Sequence, residues 1–361
     1  MIYLDYAATT PVSPAAADTA LRLMRKEFGN PSSLHRMGFE AGREIETARG
    51  AIAASLGAAP EEIVFTGSGT HANNLAVIGG ALARKRRGNR VVVSALEHAS
   101  VARAAEELSR LGFEVKRALP ADIPEICTPD TVLVASMAVN NETGEFTDIA
   151  VLTAAVREKA PHALVHTDAV QAYGKVPLNV GTLGVDTLAV SAHKVSAPKG
   201  CGALYVRRGT RLQPLTFGGG QENGLHPGTQ AVPLIGAFGA AVREMKPFDA
   251  GPLYQELSAG LKEMGAAVYE PPRRVPDIVT AFLPGVRAQT MVQFLSDRGI
   301  FISAGAACGR GKPSEVLMAL GLPPVQLNTA VRVSFGKDTA LEEVNLLLEA
   351  LWEGCRTLVK A

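Results

Sequence analysis

Three short stretches hold residues whose types and spacing can do chemistry. ThrGlySerGlyThrHisAla at 66–72 follows an apolar run and opens a helical pattern. Its glycines leave backbone N–H groups free, and a helix N-terminus favours an anion, so the stretch reads as a phosphate cradle. Gly67, Gly69 and Ala72 also match a loose dinucleotide fingerprint, and an ordinary strand-to-helix turn reads equally well. SerAlaHisLys at 191–194 closes another apolar run. A lysine at a strand end is commonly just solvated. Lys194, set beside His193 and Ser191 and before GlyCysGly, can instead be a desolvated amine able to form a Schiff base. HisThrAspAlaValGln at 166–171 puts Asp168 and Gln171 at the end of a third apolar run. Asp168 also has an ordinary reading as a helix N-cap.

Lys194 and Asp168 decide between cofactors. In a parallel α/β sheet, ligands bind at the C-terminal strand edge. There an aspartate can pair with a pyridinium nitrogen while a lysine holds an aldehyde carbon, which is the protein signature of pyridoxal 5'-phosphate (PLP). A nicotinamide cofactor has no use for either residue.

The elements around these stretches alternate. Glu62–Thr66, Arg90–Val93, Phe113–Lys116, Thr131–Ser136 and Leu164–Thr167 read as strands, and Thr70–Arg86, Ser100–Leu111 and Ile149–Lys159 as helices. Units of roughly 30 residues fit βαβ crossovers, and so a mostly parallel sheet with helices on both faces. Thr187–Ser191 and Gly202–Val206 are too close for a crossover helix and should pair antiparallel. The run ArgLysArgArg at 84–87 is expected at a helix C-terminus, where the dipole favours cations. After about Met245 a breaker-rich stretch intervenes. Strands at Ile278–Phe282, Ile300–Ser303 and Val331–Phe335 follow, with a helix near Ala288–Arg298. The last helix should bury one stripe through Leu341, Val344, Leu348, Leu351, Cys355 and Leu358. The expected fold class is α/β: a large mostly parallel-sheet domain over 15–245, and a smaller α+β domain formed by 1–14 and 246–361.

Composition narrows the function classes. With 361 residues, about two domains are expected at roughly 150 residues each. The 36 Lys+Arg nearly balance 35 Asp+Glu, which argues against a nucleic-acid polyelectrolyte. Hydrophobic residues at 47% supply a large core and argue against disorder. No apolar run approaches a membrane span, and MetIleTyrLeuAspTyr lacks the pattern of a secretory signal. The cysteines Cys127, Cys201, Cys308 and Cys355 are far apart, with no zinc spacing, so no metal is expected and reduced thiols in a cytoplasmic enzyme fit best.

Taken in order, the motifs resemble the cysteine desulfurases of the class V aminotransferase superfamily, NifS/IscS-like, nearly end to end. They are TyrLeuAspTyrAlaAlaThrThrPro at the start, AsnProSerSerLeuHis at 30–35, GlyThrHisAlaAsnAsn at 69–74, GluHisAlaSer at 97–100 and ValAsnAsnGluThrGly at 139–144. HisThrAspAlaValGln, SerAlaHisLys, GlyGlyGlyGlnGlu at 218–222, ProGlyThr at 227–229, SerAlaGlyAlaAlaCys ending at Cys308, and ValArgValSerPheGly around Arg332 complete the series. The resemblance implies the PLP-dependent transferase fold of type I and a homodimer with shared sites. It implies conversion of L-cysteine to L-alanine, with a persulfide left on Cys308 for a sulfur acceptor or iron–sulfur scaffold protein. By the same resemblance Lys194 holds PLP and shuttles the α-proton. Asp168 bonds the ring nitrogen, Gln171 the ring hydroxyl, and His98 stacks on the ring and assists proton transfer. Gly69, Thr70, Ser191 and His193 bind the phosphate, with Thr229 reaching across the dimer. Asn141 and Arg332 hold the substrate carboxylate.

Residue by residue, other readings stand beside these. His98 can cap the helix after its strand, and Arg332 can simply face solvent. His35 and His166 read as structural and His162 as a surface residue. Cys201 and Cys355 read as small buried hydrophobes, and Cys127 as an incidental loop thiol. Cys308 instead sits in a small, basic loop with Arg310 and Lys312, and nearby cations favour thiolate. Three departures stand out: His71 where the family usually has Glu, His226 where it usually has Arg, and a loop after Cys308 about two residues short of the housekeeping members. They bear on substrate and acceptor. The rival readings are a selenocysteine lyase or pathway-dedicated desulfurase, and a non-catalytic PLP-bound scaffold for sulfur carriers.

Overall fold

A computed structural model describes residues 1–305 and 314–358. The chain forms two compact units: Pro11–Ala138 with Thr147–Lys246, and Met1–Thr10 with Val139–Phe146 and Pro247–Ala361. The segment Val139–Phe146 lies inside the expected 15–245 domain, yet groups with the second unit.

The first unit is built on a seven-stranded sheet. Its spatial order is Ile63–Thr66, Gly202–Val206, Thr187–Ser191, Leu164–Asp168, Thr131–Ala135, Arg90–Ser94 and Glu114–Ala118. Gly202–Val206 runs antiparallel to both its neighbours, and every other pairing is parallel. The central strands Thr131–Ala135, Leu164–Asp168 and Thr187–Ser191 are buried along their whole length, so they read as apolar runs rather than alternations. The helix Ala99–Arg110 sets Val101, Ala104, Ala105 and Leu108 against Val91, Val93 and Leu133. Each fully buried Val or Leu contributes about 1.5–3 kcal/mol.

The expected helix Thr70–Arg86 is shorter. A helical run extends from Gly69 through Leu82, with a π-type turn at Leu75–Gly79. Residues 84–87 lie in turns beyond it, where Arg84 donates to the carbonyls of Gly80 and Arg211, and Lys85 to that of Leu111. The basic run therefore starts just past the helix end, where Arg84 bonds a carbonyl of its last turn, and also satisfies carbonyls outside it.

The second unit has a four-stranded antiparallel sheet ordered Ser303–Ala304, Ala330–Ser334, Ile278–Phe282 and Ala267–Val268. The expected single strand Ile300–Ser303 is split. Ile300–Phe301 pairs in parallel with Ile2–Tyr3, while Ser303–Ala304 pairs with the Arg332 strand. The last helix, Leu341–Thr357, buries Val344, Leu347, Leu348 and Leu351. Leu341, expected in the stripe, is exposed, and Leu347 takes part instead. Val139–Phe146 is a hairpin, with Val139 bridged to Phe146 and Glu145 bridged to Arg274. No helix among the described residues is long and apolar enough to cross a membrane.

Candidate active site

The cofactor candidates of the first unit gather at the C-terminal ends of neighbouring parallel strands. Asp168 ends one strand and pairs in register with Ala189 of the next, two residues before Ser191. The chain then makes a tight turn through Ala192–Lys194. Gly69 packs directly on this edge: a Cβ there would lie 2.9 Å from Val170 Cγ2 and 3.2 Å from Ser191 Cβ. A Cβ on Gly202 would come within 2.5 Å of the Ser68 carbonyl carbon. Gly69 and Gly202 thus stand where the backbone packs too closely for any side chain, at the start of a helix whose N-cap is Ser68. Thr70 is exposed there, and Lys194 and His193 are half-buried. Burial, with Lys194 and Lys199 nearby, pulls His193 down to about 4, so its ring is neutral at pH 7.

Asp168 is almost fully buried. Its Oδ2 accepts from Asn73 Nδ2 at 2.7 Å and its Oδ1 from Val170 N at 2.9 Å. The residue therefore does cap the turn that follows, and that capping fixes the direction of its carboxylate. Gln171, also buried, accepts at Oε1 from Lys175 Nζ at 3.1 Å. His98 is the N-cap of Ala99–Arg110, its Nδ1 accepting from Ser100 N at 3.1 Å. The capping reading of His98 is correct, and its Nε2 is not used by the cap. Next to it Glu97 is buried, with Oε1 accepting from Met137 N and Oε2 unpartnered. Burial, aided by Asp168, raises its carboxyl far above the ordinary range.

Thr229 is exposed, at the end of the glycine-rich segment. That segment hangs on Glu222, whose carboxylate accepts from Arg49 at 2.8 and 2.9 Å, from Phe65 N at 2.8 Å and from Gln230. Burial opposes ionisation of Glu222, yet Arg49 and these donors hold it below the usual carboxylate range. Glu222 and Asn223 adopt left-handed backbone, with φ of 47° and 57°. A cavity of about 110 Å³ lies between this segment and Phe65–Gly67. The departures His71 and His226 turn out to be neighbours, with ring centroids 5.7 Å apart. Burial, and then His71, lowers the His226 pKa.

The second unit brings together Asn141 and Arg332. Arg332 does not face solvent: it is 2% exposed in the middle of its sheet. Its Nη1 donates to the Asn141 carbonyl at 2.9 Å, and its Nη2 to Asp5 Oδ1 at 2.8 Å and to Ser303 Oγ at 3.2 Å. Arg332 Nε and Asn141 Oδ1 are buried without partners. An unpaired guanidinium N–H and an unpaired amide oxygen on two residues in contact suit a ligand carrying both a carboxylate and an ammonium group.

Sequence reasoning missed Asp5, which orients Arg332 from 327 residues away, although the opening motif contains it. It also missed Asn73, and it read His166 only as structural. His166 is indeed buried, and burial pulls it down to about 3. Cys308 lies outside the described residues, as does most of its loop. Of the other cysteines, burial pushes Cys127 up to about 11 and Cys201 up to about 12, and it also raises Cys355. His35 caps the helix Arg36–Leu56.

Comparison with known proteins adds a family. The aminotransferase class-V family matches residues 2–347. A cysteine desulfurase IscS of Dictyoglomus turgidum is 35% identical, covering 97% of this chain and 93% of that protein. A solved NifS-like protein superposes with a TM-score of 0.92 at 34% identity, over 99% of this chain and all of that one. SspA, solved in complex with cysteine, has a TM-score of 0.84 at 31% identity, over 94% of this chain and all of that one.

Proposed function

Since the chain belongs to the aminotransferase class-V family, among its cysteine desulfurases, we propose that it moves the sulfur of L-cysteine onto Cys308. L-alanine leaves, and the persulfide passes to an acceptor protein of iron–sulfur cluster or thio-cofactor assembly. One observation carries the reading: Asp168 and Ser191–Lys194 end neighbouring parallel strands, with Gly69 packed on Ser191.

The enzyme is PLP-dependent, and its residues fit that group. Gly69 and Gly202, where a Cβ has no room, leave the backbone N–H groups at the helix start uncovered for a phosphate. Thr70, Ser191 and the neutral ring of His193 supply further partners. When bound, PLP supplies an electron sink for the substrate α-carbon. Asp168, doubly hydrogen-bonded, would keep a proton on the ring nitrogen. Gln171 meets the ring hydroxyl and His98 covers the ring face. Lys194 would hold the aldehyde carbon, and its amine would carry the α-proton. Arg332 and Asn141 hold the substrate carboxylate, with Asp5 steadying the guanidinium. The Cys308 thiolate attacks the substrate sulfur. The carbon–sulfur bond breaks with its electron pair kept on carbon, and a proton takes the place of sulfur to give alanine. The other three cysteines are held as thiols by burial and suit no such step.

A homodimer completes the site, with Thr229 reaching the partner's phosphate. Leu21, Met24, Phe28 and Phe39 support it, being 49%, 55%, 67% and 70% exposed on and beside two helices that share a packing partner. Isolated exposed hydrophobes are ordinary, but four such residues close in sequence mark a covered face. Four separated thiols fit a cytoplasmic setting.

The purified protein incubated with L-cysteine should yield alanine and Cys308 persulfide in equal amounts, and borohydride should label Lys194. Alanine without any persulfide on Cys308, or label on Lys175 or Lys199, overturns the assignment. Selenocysteine turned over to the exclusion of cysteine would make the protein a lyase instead.

A further inference from the structure

Asn73 is 1% exposed, in the first turn-and-a-half of the helix that opens at Gly69, and the conversion just described gives it no role. Every polar atom of its side chain is engaged. Nδ2 donates one hydrogen to Asp168 Oδ2 at 2.7 Å and the other to Ser100 Oγ at 2.8 Å, while Oδ1 lies 3.0 Å from His166 Nε2. The opposite amide orientation would set Oδ1 against the Asp168 carboxylate, oxygen to oxygen, so the orientation is fixed.

The remaining protons follow without choice. His166 Nε2 must carry hydrogen to donate to Asn73 Oδ1. Its Nδ1, bare in the neutral ring, accepts from Thr187 Oγ1 at 2.9 Å. Ser100 Oγ accepts from Asn73 and turns its own proton to His98 Nδ1 at 2.8 Å. Ser100 N–H points at that same nitrogen at 3.1 Å, so Nδ1 is an acceptor and the ring proton of neutral His98 sits on Nε2. Thr187, His166, Asn73, Asp168 and Ser100 are each at most 7% exposed, and in such a setting hydrogen bonds strengthen one another.

We propose that Asn73 is a positioning residue: it ties Asp168 and His98 into one hydrogen-bonded unit, aims the Asp168 carboxylate, and holds His98 as the Nε2–H tautomer. This rests on the reading of Asp168 and His98 as the residues that meet the cofactor ring. The imidazole therefore presents a donor at its free edge. Whatever shifts the Asp168 carboxylate is felt at His98 through two side chains.

The test uses the holoenzyme labelled with 15N-histidine, together with Asn73→Ala, Asn73→Asp and Ser100→Ala. In the unmutated protein the His98 nitrogen shifts should report a bare Nδ1 and a protonated Nε2. Asn73→Ala removes a donor to a charged carboxylate. It should raise the cofactor dissociation constant about tenfold and move the pH midpoint of the bound chromophore. Asn73→Asp, which sets a second carboxylate against Asp168, should move both further. Ser100→Ala keeps the Asn73–Asp168 contact, so it should leave the midpoint in place and shift only the His98 signals. A protonated Nδ1 on His98 overturns the proposal, as does an unchanged midpoint and dissociation constant in both Asn73 variants. If the Asn73 variants fail to fold, the tautomer and Ser100→Ala decide. Failure of the unmutated protein to bind PLP would strike the cofactor reading instead, because the tautomer is readable without PLP.

Discussion

Replacing Glu142 by Gln should flatten the pH dependence of stability of the unit that contains Arg332. Glu142 follows Asn141 in the hairpin Val139–Phe146. Its carboxylate accepts from Ser314 Oγ and its carbonyl from Thr280 Oγ1. Burial pushes its pKa from 4.5 up to about 7, against the pull of Ser314 and Arg332. In the unfolded chain the same group titrates near 4.5. Between these values the folded state keeps a proton that the unfolded state has lost. Stability therefore falls as pH rises through this window and stays at the lower level above about 7. The ceiling on the loss is about 3 kcal/mol, from about 1.36 kcal/mol for each pH unit. Because the side chain keeps some contact with water, about 1–2 kcal/mol is the expected size. Gln has the same shape and can keep the Ser314 contact without titrating. Urea unfolding followed by tryptophan fluorescence is the natural assay, since Trp352, the single tryptophan, lies in the same unit. Variant and wild type should agree at pH 4.5, diverge in favour of the variant up to pH 7, and run parallel above it. A difference that stays constant from pH 5 to pH 8, or one that favours the wild type as pH rises, refutes the reasoning.

Further expectations concern the proposed cofactor and substrate residues. Gly69→Ala puts a methyl 2.9 Å from Val170 Cγ2, so cofactor affinity should fall about tenfold while the apo protein loses only about 1–3 kcal/mol of stability; fluorescence titration and urea melts measure the two. Arg332→Lys keeps a charge but loses the fork shared among Asp5, Ser303 and Asn141. Steady-state kinetics should show the cysteine KM rising about tenfold or more, with the bound-cofactor spectrum unchanged. Mixing Lys194→Ala chains with Thr229→Ala chains should restore part of the activity, since a hybrid dimer holds one intact site; a mixture no more active than its parents would contradict shared sites.

What the sequence disclosed and what it hid differ by range. Strands such as Thr131–Ala135 and Leu164–Asp168 announce themselves because both faces are buried, and their ends carry the motif residues in order. The antiparallel return at Gly202–Val206 followed from spacing alone. Asp5 and Arg332, by contrast, are 327 positions apart, and no local pattern links an N-terminal aspartate to a buried arginine. Ile300–Ser303 looked like one strand because its pattern is nearly all apolar, whereas its two ends satisfy backbone groups of different sheets. Asn73 was missed and His166 read only as structural because a polar residue in the sequence carries no sign of which partner satisfies it. Only the three-dimensional network reveals that each has just one workable proton arrangement.

The peg at Glu222 has a consequence for how the glycine-rich segment comes apart. Two successive left-handed residues without glycine's freedom cost roughly 1–2 kcal/mol each, so Glu222 and Asn223 keep that geometry only while something compensates. The compensation comes from one carboxylate shared among Arg49, Phe65 and Gln230. Glycines cannot stiffen the rest of the segment, so its order is held at a single point rather than spread along it. It should open as one cooperative foldon, Thr229 included, at a free energy well below that of global unfolding. The ordering of Thr229 is then met inside the chain itself, and in the proposed homodimer the partner meets a surface that is already shaped.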